Sequence, residues 1–245
     1  NTSLNSYVTR DGGEMGRAQV VQAEAAMVEP TVDMNPILLK PEADHRSQVI
    51  IRGRVLGSFT ASEYYQKKLG LWKLVAESLD NLRREHDLVV IEGAGSPAEI
   101  NLREQDIVNM RVALYAKAPV LLVGDIDRGG VFASLVGTLE LLAPEERAMI
   151  KGVVINKFRG DLSLLKPGIT MLEARLNIPV CGVIPYLRNI SIADEDSVSL
   201  EGRQRRSGAS SILDIAVVRL PHISNFDDFN PLEEEDGVSL RYIRS

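Results

Sequence analysis

A chain of 245 residues with 44% hydrophobic side chains is long enough to close one large core or two modest ones. Its formal net charge of -6 argues against a nucleic-acid backbone as partner, because that ligand selects a clustered Lys/Arg face. One cysteine, Cys181, excludes an internal disulfide, and no apolar stretch approaches the roughly 20 residues that span a bilayer, so the expected setting is cytoplasmic and not a membrane.

The chain opens Asn1-Thr2-Ser3-Leu4 with neither a methionine nor a signal-peptide pattern, and a start inside a longer protein is expected. The string from Thr9 to Arg17 is a glycine-rich turn carrying Asp11 and Glu14, and residues 13–28 are expected as a helix with Ala18, Val21, Ala25 and Val28 along one side. Either carboxylate is a candidate metal ligand, while a dipole-complementing role at a helix start is the alternative. Residues 48–53 are a strand candidate. Thr60 and Glu63 then form a capping box that opens a helix to about residue 84, with Leu71, Trp72, Val75, Leu79 and Leu82 at helical spacing. Trp72 is read as helix packing.

Four short apolar runs follow, at 88–91, 120–123, 152–155 and 179–184. Each is rich in β-branched residues without polar alternation, the pattern of strands buried on both faces. Helical segments at about 103–117, 131–142 and 161–176 alternate with them, the last expected to break near Pro167-Gly168. Alternation of this kind predicts an α/β fold with a mostly parallel, doubly wound sheet. Residues 197–211 read as a polar linker with a solvated Arg203, Arg205 and Arg206 run, and a new strand begins at 212–218.

In open parallel sheets ligands bind beyond the carboxyl ends of the strands, so the residues after each run are the place to look for chemistry. The first run ends in Glu92-Gly93-Ala94-Gly95, a strand-tip acid suited to a nucleotide-bound Mg2+, with an ordinary loop turn as the alternative. The second ends in Asp125-Ile126-Asp127-Arg128-Gly129-Gly130 at a helix start, an acid pair, an arginine and two glycines where backbone N–H groups and the Arg128 guanidinium can both address an anionic group; a capping aspartate with a surface arginine is the plainer reading. The third ends in Asn156-Lys157, a pair suited to a purine edge, and the fourth in Pro185-Tyr186-Leu187, an apolar wall. Cys181 has no cysteine-histidine motif around it and reads as a packed apolar side chain, and His45, His86 and His222 lack metal-ligand spacing.

Taken together, these segments resemble the cobyric acid synthase family. The matching strings are Leu4-Asn5-Ser6-Tyr7-Val8-Thr9, Asp11 to Gln19, Glu92 to Leu102, Asp106-Ile107-Val108-Asn109-Met110, Asp125 to Phe132, Asn156 to Asp161 and Pro221 to Leu232. The resemblance covers essentially the whole chain. It implies a dethiobiotin-synthetase-like P-loop NTPase fold over 1–196, a linker at 197–211, and the opening of a class I glutamine amidotransferase domain at 212–245. It also implies ATP- and glutamine-dependent amidation of the b, d, e and g carboxylates of adenosylcobyrinic acid a,c-diamide, with ATP and Mg2+ as cofactors and glutamine or ammonia as nitrogen source. By motif match Glu92 is the first candidate for Mg2+, with Glu14 or Asp11 second. Asp127 and Arg128 fall near the phosphate or the activated carboxylate, and Asn156, Lys157 and Pro185 at the base. Asn101, Asp106 and Asn109 face the corrinoid, or else form a polar helix start.

The sequence departs from that pattern in two places. No Gly-x-x-x-x-Gly-Lys-Ser/Thr loop occurs in the 245 residues, and no glutaminase nucleophile. The resemblance places that loop just ahead of the segment matching Asn5 to Thr9, so an N-terminally truncated domain, inactive alone, is the expectation. A switch ATPase that dimerises on nucleotide and a non-catalytic nucleotide-binding module are the competing classes; the first predicts nucleotide-dependent self-association without corrinoid affinity. A homodimer is left open.

Overall fold

The structure, a computed structural model, describes residues 2–43, 45–187, 212–220 and 223–244. The linker reading at 197–211, its arginine run, His222 and the first two residues of the string from Pro221 lie outside the described residues. The chain divides into two compact units, one built from Asn1–Lys67, Lys73–Val89 and Ser191–Ser245, the other from Lys68–Trp72 and Val90–Ile190.

The first unit begins with β1 (Ser6–Val8) paired antiparallel to β2 (Glu14–Gly16). The turn between them closes through the Thr9 N–H on the Gly13 carbonyl (2.8 Å) and through the Thr9 hydroxyl, which accepts from the Gly13 N–H (3.0 Å). Gly12 sits at φ 77°, a conformation that glycine adopts without cost. The expected helix over 13–28 therefore starts later, as α1 (Arg17–Ala25). Its first residues are drawn into extended pairing because the Glu14 N–H bonds the Gly53 carbonyl (3.0 Å) and the Gly16 N–H bonds Asn35 Oδ1 (2.8 Å).

The strand expected at 48–53 belongs to an antiparallel meander of β3 (Ile37–Ala43), β4 (Arg46–Ile51) and β5 (Arg54–Thr60). Pro41 is tolerated because β3 is an edge strand. Leu38 and Ile50, cross-strand partners on one face, and Val49 on the other are all within 1% of full burial, and Met15 and Val20 are likewise buried. The capping box is present: Glu63 accepts from the Thr60 N–H (2.8 Å) and the Thr60 hydroxyl accepts from the Glu63 N–H (3.3 Å). The long helix it opens is divided into α2 (Ala61–Lys68) and α3 (Trp72–Glu85) by a 3-10 turn around Gly70, a weak helix former. Near the C-terminus β9 (Leu213–Arg219) pairs parallel with β10 (Val238–Arg244), the chain passing between them through a 3-10 turn at Phe226–Phe229 and α8 (Asn230–Glu234). Phe226 is fully buried.

The second unit holds the parallel sheet β6 (Val120–Asp125), β7 (Ile150–Phe158) and β8 (Val180–Pro185), in that order. Its crossovers are α5 (Val131–Leu141) with the short α6 (Pro144–Arg147), and α7 (Leu162–Leu176). Leu135, Leu139, Leu172 and Leu176 pack on Val153, with Leu122 against them. Ahead of the sheet, α4 (Met110–Ala116) takes the place of the longer helix expected at 103–117. The break expected at Pro167-Gly168 does not occur, since α7 runs through Pro167. One missing N–H is outweighed there by the burial of Leu165, Leu172 and Leu176 and by Gly168, whose bare Cα admits the Phe132 ring.

Three further expectations fail together. Residues 88–91 form no strand, and Leu88 and Val90 are 79% and 88% exposed. The β6 to β8 sheet is covered on one face only, with Leu121 and Val123 more than half exposed on the other. Cys181 lies on that uncovered side beside Gly152 and is exposed rather than packed. The cause is shared: an apolar run is buried on both faces only where a second layer covers it, and no described element supplies that layer.

Candidate functional site

The carboxyl ends of β6, β7 and β8 carry a cluster of paired polar side chains. Parallel pairing sets Asp125 opposite Asn156, and the Ile126 N–H extends the ladder to the Asn156 carbonyl (3.1 Å). Beyond Asp125 the chain turns sharply: Asp125 Oδ1 accepts from the Asp127 N–H (2.9 Å), and Gly129 and Gly130 take φ 76° and 68° before α5 begins. Only glycine supports two successive positive φ angles cheaply, which leaves the start of α5 without a side-chain cap.

On the neighbouring strand, Lys157 sits at φ 61° where the pairing of β7 with β8 slips, and Asn156 Oδ1 accepts from the Lys157 N–H (2.9 Å). That backbone twist turns the ammonium toward β6, where it bonds Asp125 Oδ2 at 2.8 Å. Arg159 pairs with Asp127 (3.0 Å) and lies over the Tyr186 ring, 3.5 Å from its centroid. Tyr186 is fixed in turn by its N–H on the Phe158 carbonyl (2.8 Å). Two acid-base pairs thus bridge β6 and β7 side by side. The hydrogen bond from Lys157 holds the Asp125 carboxyl below the ordinary aspartate range, with the Asp127 N–H and the Arg128 charge adding to it. Arg128 lies 3.8 Å from the same carboxylate and is otherwise exposed.

The sequence-derived candidates divide into three groups. Asp127, Arg128, Asn156, Lys157 and Pro185 are brought together at this rim. Glu92 stands in the same unit on an exposed loop tethered by Asn109, whose amide both accepts from the Ala94 N–H (2.9 Å) and donates to its carbonyl (2.8 Å). Asp106 receives three backbone N–H groups, from Val108, Asn109 and Arg111 at 2.8 to 3.0 Å, and so organises the start of α4, while Asn101 is exposed. Glu14 and Asp11 belong to the first unit. Glu14 lies on β2 instead of a helix start, and its carboxylate binds the Lys40 ammonium at 2.6 Å. Burial alone would push that carboxyl up, but the hydrogen bonds from Lys40 and Ser6 and the Lys40 charge outweigh it and hold it below the usual glutamate range.

Among the described residues no group of three His, Cys, Asp or Glu side chains could hold a metal ion. Mg2+ needs no such cage, since it takes one or two carboxylates beside phosphate and water oxygens, and an exposed Glu92 fits that chemistry. Sequence reasoning named Asp125 only within a strand-end string and Tyr186 only as part of an apolar wall, without their partners, and it missed Arg159 and Lys40 as members of these clusters. Arg159 stands just past a strand tip, a signal open to reading, whereas Lys40 looks like an interruption in the apolar run Ile37-Leu38-Leu39. Trp72 is packing as expected, edge-on to Tyr115 at 5.4 Å with the Arg111 guanidinium 4.4 Å from its ring centroid.

Over 99% of its length the chain is 65% identical to a cobyric acid synthase of Sorangium cellulosum and 61% identical to one of Dehalococcoides mccartyi. It is also 58% identical to a cobyric acid synthase of Desulfitobacterium hafniense. The chain spans about half the length of these curated relatives, 47%, 48% and 49% in turn. No solved structure matches it significantly. No helix among the described residues is long and apolar enough to cross a membrane. A family model described as an AAA domain matches residues 51–193, more than half of the chain, and together with the α/β fold and its parallel sheet this places the chain in the AAA domain family of P-loop proteins.

Proposed function

We propose that the protein to which this chain belongs is a cytoplasmic ligase of cobalamin biosynthesis. It amidates the b, d, e and g carboxylates of adenosylcobyrinic acid a,c-diamide with ATP and glutamine to give cobyric acid. The observation that carries this reading is the strand rim at which the Asp125–Lys157 and Asp127–Arg159 pairs stand beside Asn156. Identity of 65% and 61% to proteins named cobyric acid synthase supports the choice of substrate.

A carboxylate is a poor acyl donor until one of its oxygens becomes a good leaving group. Transfer of a phosphoryl group from ATP to the side-chain carboxylate gives an acyl phosphate and ADP. Ammonia then attacks the acyl carbon, and the C–O bond to phosphate breaks with its electrons on phosphate. Positioning and charge neutralisation dominate the first step. Asn156 and Lys157 would hold the purine edge, with Pro185 and Tyr186 as its wall. Arg128 and Arg159 supply positive charge where the phosphates and the incoming carboxylate meet, and Asp127 orients Arg159. Mg2+ supplies further neutralisation of phosphate charge when bound; Glu92 is the first residue to hold it, with Glu14 or Asp11 second. Asn101 would meet the corrinoid directly, whereas Asp106 and Asn109 act on it through the loop they organise. Residues 212–245 would open the glutaminase part that releases ammonia, with 1–196 as the ATP-binding part and 197–211 as the linker.

The test is product analysis by mass spectrometry with the full-length protein, the diamide, Mg2+-ATP and glutamine. Four successive amidations are expected. Asn156→Ala should raise the Kd for ATP about tenfold, the value of roughly one purine contact. No turnover of the diamide by the intact protein, or an unchanged ATP titration in Asn156→Ala, contradicts the assignment of substrate or of base site respectively.

A further inference from the structure

We infer that Asp125 is a positioning residue for purine selectivity: by holding Lys157 in the left-handed conformation, it fixes which atom of the Asn156 carboxamide meets which atom of a base. The inference rests on the proposed reading of Asn156 as the base contact and deepens it by naming the base chemistry and the group that sets it. Every residue involved belongs to the second unit. Lys157 takes φ 61°, a conformation that a residue with a Cβ keeps only where its surroundings hold it. Two contacts do so. Its ammonium donates to Asp125 Oδ2 at 2.8 Å, and its N–H donates to Asn156 Oδ1 at 2.9 Å. Asp125 is fixed in turn at its other oxygen, which accepts from the Asp127 N–H at 2.9 Å, and by the strand pairing that sets it opposite Asn156. Both carboxylate oxygens are thus engaged within the rim, and Asp125 acts on a ligand through Lys157 and Asn156.

An N–H can meet only an acceptor, so the Lys157 amide selects the oxygen of the Asn156 carboxamide and excludes the flipped form, in which an NH2 group would face it. The pinned oxygen keeps a second lone pair, and Nδ2 keeps its two donors. The carboxamide therefore offers acceptor and donor side by side in one fixed order. A 6-amino purine presents the N6 donor next to an acceptor ring nitrogen and matches that order with two hydrogen bonds. A 6-oxo purine brings its O6 acceptor against Oδ1, which leaves both oxygens unpaired and repelling. Without the carboxylate on its ammonium, residue 157 relaxes toward ordinary extended backbone and its N–H leaves Oδ1. The carboxamide can then turn Nδ2 toward O6. The Asp125–Lys157 pair thereby governs discrimination between bases more than affinity for a nucleotide.

ATP and inosine triphosphate differ only in the amino or oxo group at C6 and the proton that the latter places on N1, so calorimetric titration of the full-length protein with each isolates the effect. The wild-type Kd for ATP should lie about tenfold below that for inosine triphosphate, the discrimination of one bidentate amide–purine contact. That comparison needs no variant, and equal Kd values overturn the inference. Asp125→Asn keeps an oxygen for the Asp127 N–H but turns an NH2 group to the Lys157 ammonium. It should cut the preference to about twofold, chiefly by tightening inosine triphosphate, while hydrogen exchange at the Lys157 amide quickens about fivefold. Asn156→Ala should remove the preference altogether. If Asn156→Ala removes it while Asp125→Asn leaves it at tenfold, the positioning role is wrong and the base reading survives. If Asn156→Ala leaves the Kd for ATP unchanged, both are overturned.

Discussion

Asp106 illustrates how one side chain can substitute for several backbone partners. Its two oxygens receive three N–H groups at the start of α4, groups that a helix terminus otherwise leaves to water. Asp106→Ala is expected to cost about 1–2 kcal/mol by urea denaturation, at the strong end of capping substitutions. A loss below about 0.3 kcal/mol would show that water replaces the carboxylate. Residues of this type are half legible from sequence. The Thr60/Glu63 box was readable because its spacing is fixed by one helical turn. At Asp106 the same local chemistry competed with a ligand role, and the string alone left both standing. Lys40 was not legible at all, because the carboxylate it serves lies 26 positions away and reaches it only after β2 and β3 are folded. Asp125 and Arg159 fall between these cases: their strand-tip positions were visible, but not the backbone twist at Lys157 that decides which acid meets which base.

Elements were legible wherever the period of the pattern and the burial agreed. The runs at 120–123, 152–155 and 179–184 became β6, β7 and β8 because helices α5 and α7 cover them. The run at 88–91 has the same composition and no covering element among the described residues, and it forms no strand, with Leu88, Val90 and Ile91 exposed. Apolar content thus announces a tendency to be buried, while pairing depends on a neighbour that the run does not encode. The two faces of the sheet should respond differently to truncation. Leu139, fully buried beneath the sheet, is expected to lose about 2–5 kcal/mol as Leu139→Ala, whereas Leu121→Ala on the uncovered face should lose under about 1 kcal/mol. Equal losses in chemical denaturation would mean that the second face is covered in the protein as it folds. Pro167 shows the opposite failure of local rules, since a residue that disfavours a helix interior is carried by packing on both sides of it.

At the scale of the molecule, the first unit is assembled from three separated stretches of chain and the second from two. Neither division is visible in composition, because the returning segment at 212–244 resembles any other start of a strand. Its importance lies in Phe226, which is fully buried and bonded through its N–H to Asn5. Phe226→Ala should cost about 3–5 kcal/mol, measured as lost amide protection across Ser6–Val8; unchanged protection there would show that the N-terminal hairpin closes without it.

The separation of those two partners also has a temporal meaning. Asn5 and Phe226 lie 221 positions apart, which at typical elongation rates is a delay of roughly 10–45 seconds between the emergence of one and the other. The stretch from Val90 to Ile190 leaves the ribosome as an uninterrupted block and can settle meanwhile. The N-terminal hairpin must wait, its hole unfilled, until Phe226 has been made. During that interval it is a natural client for chaperones, and a slowed ribosome upstream of Phe226 would lengthen its exposure.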